Sequence, residues 1–379
     1  MTDAIFEYYI SDRHTPVKKS DDLWNALLPS DMQAENSDSS ATVGHYFDTA
    51  SVFLSSDDFS VLKAGINKVK NLQILSEDIN KVEIYLVKHG QFYHPARIDV
   101  LLADTSVSFA LNLAVSEDGV ACVEREYPVL EKLSRRVVDI PAVYGKGKVV
   151  SGNGSEFSMF LAKWFDGYNE FHISYDNGEK NVIVWDYDKG FYYLSEQEVF
   201  ALYKKAAFIM TQSYNPETFE QIQPWHHAAG DFVVKNDDAG IDVKLITVRQ
   251  YTSLFENSFD DAESILEAAL IFFIGLSIRM RLDRVDGVAE SVWADEIVLK
   301  AVVEGFFDAL DCIDPPAAFG DDFAGSFKKY ISGVDSDTIG EFSMMIAGSY
   351  HPESSDCLIV ADNIQDHMTA FAVEVRRVV

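Results

Sequence analysis

KVEIYLVKHG at 81–90, ARIDVLL at 96–102 and SFALNLAVS at 108–116 each alternate apolar with polar residues. Period-two alternation, broken by Gly, Pro, Asp and Ser, predicts three consecutive antiparallel strands, each with one face toward a core. SEDGVACVEREYPVLEKLSRR at 116–136 then changes period. After a turn expected at Asp118-Gly119, Val123, Tyr127, Leu130 and Leu133 recur at helical spacing. Arg135 and Arg136 fall in the last turn, where positive charge suits the helix dipole. VYGKGKVVSGNGSEFSMFLAKWF at 143–165 supplies two more strands around a Gly-rich turn. Five antiparallel strands with one helix after the third make a strand-rich α+β unit over 59–166.

Upstream, residues 1–58 contain SDMQAENSDSSAT at 30–42, a stretch without periodicity, so an N-terminal extension and linker is expected there. Downstream of Asp166-Gly167 the balance shifts to helix. NVIVWDYDKGFYYL (181–194) reads as a hairpin, and SEQEVFALYKKAAFIM (195–210) as a helix capped by Ser195 with Glu198 closing a capping box. DFVVK and IDVKLITV, around NDDAG (236–240), read as a short strand pair. Segments 260–285, 294–310 and 363–379 carry long helical patterns. A mainly helical unit over 167–379 is the expectation.

Composition narrows the function. Across 379 residues, 61 Asp and Glu stand against 31 Lys and Arg, a formal charge of −30. Phosphate neutralisation needs a basic face, so nucleic acid and anionic membrane surfaces are excluded as general partners. Cys122, Cys312 and Cys357 are far apart and form no CxxC pair, which speaks against a disulfide framework or a cysteine-built zinc site. MTDAIFEYYISDRHT lacks a basic start followed by an apolar run, and AALIFFIGL (268–276) is half a membrane span before Ser277 and Arg279. A cytoplasmic, reduced protein is expected.

Several stretches carry chemistry. His226-His227 with Asp231 offers imidazole beside carboxylate, a general base or part of a metal site, against a structural loop packed over Trp225. HGQFYHPAR (89–97) holds His89, His94 and Arg97, suited equally to ligand contact or to packing. Gly145, Gly147, Gly152 and Gly154 miss the phosphate-loop pattern because Val150 stands at the third glycine position, so a flexible hairpin is expected. Arg279, Arg281 and Arg284 in RMRLDRVDG read as a solvated or ion-paired face.

This order of elements resembles the protein-kinase-like superfamily, nearest its aminoglycoside- and choline-kinase-type phosphotransferases, across about 80–312. EREYPVLEKL (124–133) resembles the helix that carries the family's ion-pairing Glu, which places that role on Glu126. FLAKWFDGY (160–168) resembles the last strand of the first lobe running into the hinge, and His172 follows shortly after. PWHHAAGDFVVK (224–235) and VKLITVRQY (243–251) resemble the catalytic loop and the metal-binding segment. The resemblance implies a two-lobe fold and a Mg-ATP phosphotransfer site.

The departures from the family pattern point elsewhere. Asn112 stands where the nucleotide-holding Lys belongs, His226 where the catalytic Asp belongs, and Asp231 where the Asn belongs. Thr247 replaces the second metal-binding Asp, and Val248-Arg249 replaces the Phe-Gly after it. Glu126 and Asp231 alone keep serviceable chemistry. One carboxylate and a neutral hydroxyl hold magnesium poorly, so Mg-ATP is disfavoured and no cofactor is expected. Arg97 or Arg249 could grip a phosphate bidentately. Two readings follow: a kinase-fold protein that binds a small polar or phosphorylated ligand, or a protein partner, without ordinary phosphotransfer; or an atypical phosphotransferase using His226 and Asp231.

Overall fold

The computed structural model describes residues 5–10, 15–29, 41–90, 92–152, 154–186, 190–225, 227–255 and 261–379. The chain is α+β and forms two compact units, 1–166 and 167–379.

The first unit runs β1 (Ile5–Ile10), α1 (Asp22–Asn25), α2 (Val43–Lys70), β2 (Lys81–Leu86), β3 (His94–Leu101), β4 (Ser106–Ala114), α3 (Glu117–Leu133), β5 (Val143–Val150) and β6 (Glu156–Lys163). Its sheet has the order β1-β2-β3-β4-β6-β5. The five strands read from alternation are all present, and every pairing among them is antiparallel. The expected five-strand count is nevertheless one short, because β1 adds a sixth strand, parallel to β2. A parallel neighbour needs a long crossover, and the stretch holding α2 supplies it.

Residues expected as an extension therefore belong to the folded unit. Trp24 and Leu28 join its core, and α2 contributes Tyr46, Phe47, Phe53, Leu54, Leu62 and Ile66 to it. Of the proposed linker, 30–40 lie outside the described residues. Thr42 instead caps α2: its hydroxyl accepts from the His45 backbone N–H at 3.2 Å, and His45 Nδ1 accepts from the Thr42 N–H at 3.2 Å. Midway, α2 breaks. Asp57, Asp58 and Phe59 have φ of 48°, 57° and 59°, left-handed backbone that costs each non-glycine residue about 1–2 kcal/mol.

The inward side chains of β2, β3, β4 and β6 (Ile84, Ile98, Phe109, Leu161 and their neighbours) bury against α2. At β5 the helix comes closer still. A Cβ on Gly145 would lie 2.9 Å from Val61 Cγ2, and one on Gly147 2.8 Å from the Phe53 ring. These glycines sit inside a strand and admit a helix; the hairpin turn lies beyond them, around Gly152 and Gly154. On the opposite face α3 packs over β4, β5 and β6. It starts a turn earlier than the spacing suggested, because the Ser116 hydroxyl accepts from the Gly119 N–H at 3.1 Å and draws the expected turn into the helix.

The second unit runs β7 (Phe171–Asp176), β8 (Glu179–Asp186), β9 (Gly190–Tyr193), α4 (Glu196–Ser213), β10 (Glu220–Ile222), β11 (Phe232–Asp237), β12 (Gly240–Leu245), β13 (Tyr251–Ser253), α5 (Ala262–Arg279), β14 (Leu282–Arg284), β15 (Ser291–Trp293), α6 (Glu296–Leu310), α7 (Phe323–Gly333), α8 (Ser336–Ala347) and α9 (Ser355–Val378). The capping box of α4 forms as read: Ser195 accepts from the Glu198 N–H, and the Glu198 carboxylate accepts from the Ser195 N–H at 2.7 Å. The Ala268–Leu276 run is a buried stretch of α5. Its Phe273 stacks on Phe306 of α6 with centroids 3.8 Å apart, and Phe327 and Phe371 complete that aromatic centre. Among the described residues no helix is long and apolar enough to cross a membrane.

Candidate functional site

The β11–β12 hairpin builds a junction that unites two of the expected site residues, Asp231 and Arg249. Phe232 pairs with Leu245 at its open end, so the residues just outside, Asp231 and Ile246, are neighbours; the Ile246 N–H donates to the Asp231 carbonyl at 2.8 Å. Three residues on, Arg249 turns its guanidinium onto the Asp231 carboxylate. Nη2 lies 3.1 Å from Oδ1, and Nη1 donates to Oδ2 at 3.3 Å. Asp231 is 4 % exposed. Both carboxylate oxygens thus face one guanidinium, a two-pronged, charge-assisted contact among the strongest polar pairings available to side chains. Thr247, between them in sequence, is half-buried. His226 lies outside the described residues.

Its neighbour His227 points to a different carboxylate. His227 Nε2 stands 3.3 Å from Oδ2 of Asp356, in the first turn of α9. The other Asp356 oxygen accepts from the Ser291 hydroxyl at 2.6 Å. The hydrogen bond with His227 holds the Asp356 carboxyl down to about 2, with help from Ser291 and from the charges of His227 and Arg284, against the opposing effect of burial. On the far side of the loop, Arg279 Nη1 donates to Gln223 Oε1.

His172 belongs to another pair. On β7 its Nδ1 lies 3.2 Å from Asp283 Oδ1, while Asp283 also accepts from the Ile173 and Arg284 backbone N–H groups, each at 2.7 Å. That carboxylate fastens β7 to β14. The arginine-rich stretch read as a solvated or ion-paired face divides: Arg281 is buried, donates twice to the Ala294 carbonyl and lies over the Trp293 ring at 4.9 Å.

In the first unit, Asn112 pairs in register with Phe160, which in turn pairs with Lys146. Directly opposed residues share a face. Phe160 meets Tyr127 of α3, and Lys146 pairs with Glu124, so Asn112 is on the face that α3 covers, the helix that buries Glu126. Arg97 shares that face farther out. Its guanidinium sits 4.6 Å over the Tyr85 ring and pairs with Asp99 at 2.9 Å, and Tyr85 stacks on Tyr9. The charge of Arg97 is matched within its own strand. His89, on the loop leading into β3, and His94, the first residue of β3, bring their Nδ1 atoms within 3.0 Å; burial, then the charge of His89, pushes His94 down to about 4.

Among the described residues no group of three or more His, Cys, Asp and Glu could hold a metal ion. The residues that sequence reasoning missed are Asp356 and Asp283, the carboxylates that hold His227 and His172. Nothing local in sequence links 227 to 356. The hairpin, by contrast, was legible, and with it the nearness of 231 to 249. No protein-family model and no curated protein matches the chain.

Proposed function

We propose that this chain is a protein-kinase-like protein that has lost ordinary Mg-ATP phosphotransfer and serves as a ligand-binding or regulatory module. Support for the kinase-like reading comes from the order β2-β3-β4-α3-β5-β6, five antiparallel strands with one helix after the third, followed by a unit richer in helix. The β11–β12 hairpin also joins the stretches that resemble the catalytic loop and the metal-binding segment.

The observation that carries the loss of phosphotransfer is the Asp231–Arg249 pair. In the resemblance, position 231 would help hold magnesium. A guanidinium across both carboxylate oxygens cancels the charge a divalent cation needs, and Thr247 adds only a neutral hydroxyl. Asn112 supplies no fixed charge for a triphosphate, and Arg97 is matched by Asp99. The same pair suits a small polar or phosphorylated ligand, which could exchange its own anion for the Asp231 carboxylate on Arg249.

Calorimetric titration with ATP, with and without magnesium, tests this. Binding in about the millimolar range or weaker, with no dependence on magnesium, is expected. Micromolar, magnesium-dependent affinity would restore the phosphotransferase reading.

A further inference from the structure

The loop that carries Asp231 is held at one end by the hairpin and at its middle by a residue 129 positions away in sequence. His227 and Asp356 are both largely buried, with side chains 14 % and 13 % exposed. Asp356 stands in the first turn of a 24-residue helix, where backbone N–H groups and the helix dipole favour an anion. The Ser354 hydroxyl caps that turn from the Cys357 N–H at 3.1 Å. The second Asp356 oxygen is engaged by Ser291, next to the Ser355 hydroxyl at 2.7 Å. The carboxylate is therefore held by its capped helix turn and by Ser291 of β15 as well as by His227, a post more than a swinging arm.

From this geometry we infer that Asp356 is a positioning residue for the Asp231 loop. The first turn of α9 sets the loop by gripping His227, four residues before Asp231. The inference rests on the reading that Asp231 and Arg249 form the ligand site. It adds that the C-terminal helix is a working part of that site, although none of its residues is placed against the ligand. A buried imidazole–carboxylate contact is a charge-assisted one, and removing either partner leaves the other buried without it. The loop that carries His227 is the element that should respond. Arg279, at the end of α5, grips Gln223 from the other end, so loosening at His227 is confined between two fixed points.

The test is hydrogen exchange of the full-length protein, followed by mass spectrometry over 223–231 and over 355–378. Asp356→Ala and His227→Ala should each speed exchange in 223–231 by about ten- to a hundredfold. The double variant should exceed neither single one, since both remove the same contact. Asp356→Asn, whose amide oxygen still accepts from His227 while its NH2 donates to the Ser291 hydroxyl, should restore most of the protection. Faster exchange confined to 355–378 overturns the inference, because Asp356 would then serve only its own helix. Additive effects of the two single changes overturn it too. Arg249→Gln leaves the His227–Asp356 contact in place, so titrating that variant and the parent with inorganic phosphate tests the site reading alone. Loop loosening with no phosphate response supports the positioning role and removes the site reading; a phosphate response lost in Arg249→Gln without loop loosening does the reverse.

Discussion

Acid should unsettle the second unit through one buried imidazole. His367 of α9 is 1 % exposed. Its Nε2 lies 3.0 Å from the Ser277 hydroxyl, and its ring meets Trp293 edge-on at 5.6 Å, with Arg281 over the same indole at 4.9 Å. Burial, and then the charge of Arg281, pushes this histidine down to about 3. An unfolded chain returns it to about 6.5. Between those values only the unfolded state binds the proton, so stability present above pH 6.5 is lost as pH falls toward 3. Each such pH unit is worth about 1.4 kcal/mol, so moving from pH 7 to pH 5 should cost about 2 kcal/mol through this residue. That is a large part of a typical total of about 5–15 kcal/mol. Urea denaturation at pH 7, 6 and 5, followed by tryptophan fluorescence, compares the parent with His367→Phe. The variant replaces the ring by an apolar one beside Phe371 and cannot titrate. It should start less stable at pH 7 and lose about 2 kcal/mol less on going to pH 5, other histidines cancelling in the difference. Equal losses in both proteins would show that His367 is not held neutral.

The parts of the fold that could be read were those where local pattern and tertiary demand agree. Strands β2 and β3, and β4 up to Ala110, keep strict alternation because one face meets α2 and the other carries polar or charged residues such as Glu83, Arg97 and Ser108. β1 escaped notice since IFEYYI is apolar at five of six positions and hides the alternation. α2 escaped for a different reason. Its apolar residues follow one register up to Phe53 and Leu54, and another from Val61 onward, because three left-handed residues intervene. No single helical wheel fits across that break. The glycines of β5 misled in the opposite sense, since a glycine that admits a helix looks the same in sequence as one that makes a turn.

The site divides along the same line. Asp231 and Arg249 are joined by a hairpin whose turn, NDDAG, announces itself, so their meeting follows from two strand lengths. His172 and His227 were visible as residues, but their partners Asp283 and Asp356 come from distant elements whose packing no spacing rule encodes. A carboxylate at a helix start reads as an ordinary capping-region residue. Only the fold shows that Asp356 faces an imidazole and that Arg97 is spent on Asp99.

Two further outcomes bear on α2. Gly147→Ala should lower stability by about 1–3 kcal/mol in urea denaturation, because its Cβ would press on the buried Phe53 ring; no change would mean that α2 is not seated on β5. Asp57→Gly should do the opposite. Asp57 is exposed, at φ 48°, and glycine removes the Cβ–carbonyl conflict of left-handed backbone. Part of that gain is offset by the greater freedom of glycine in the unfolded chain, leaving a net increase of about 1 kcal/mol. Asp58→Gly relieves the same conflict but also removes the contact with Lys63 at 2.6 Å, so its gain should be the smaller. If Asp57→Gly lowers stability instead, the chain does not hold the left-handed break, and α2 is a continuous helix whose packing against β5 must be revised.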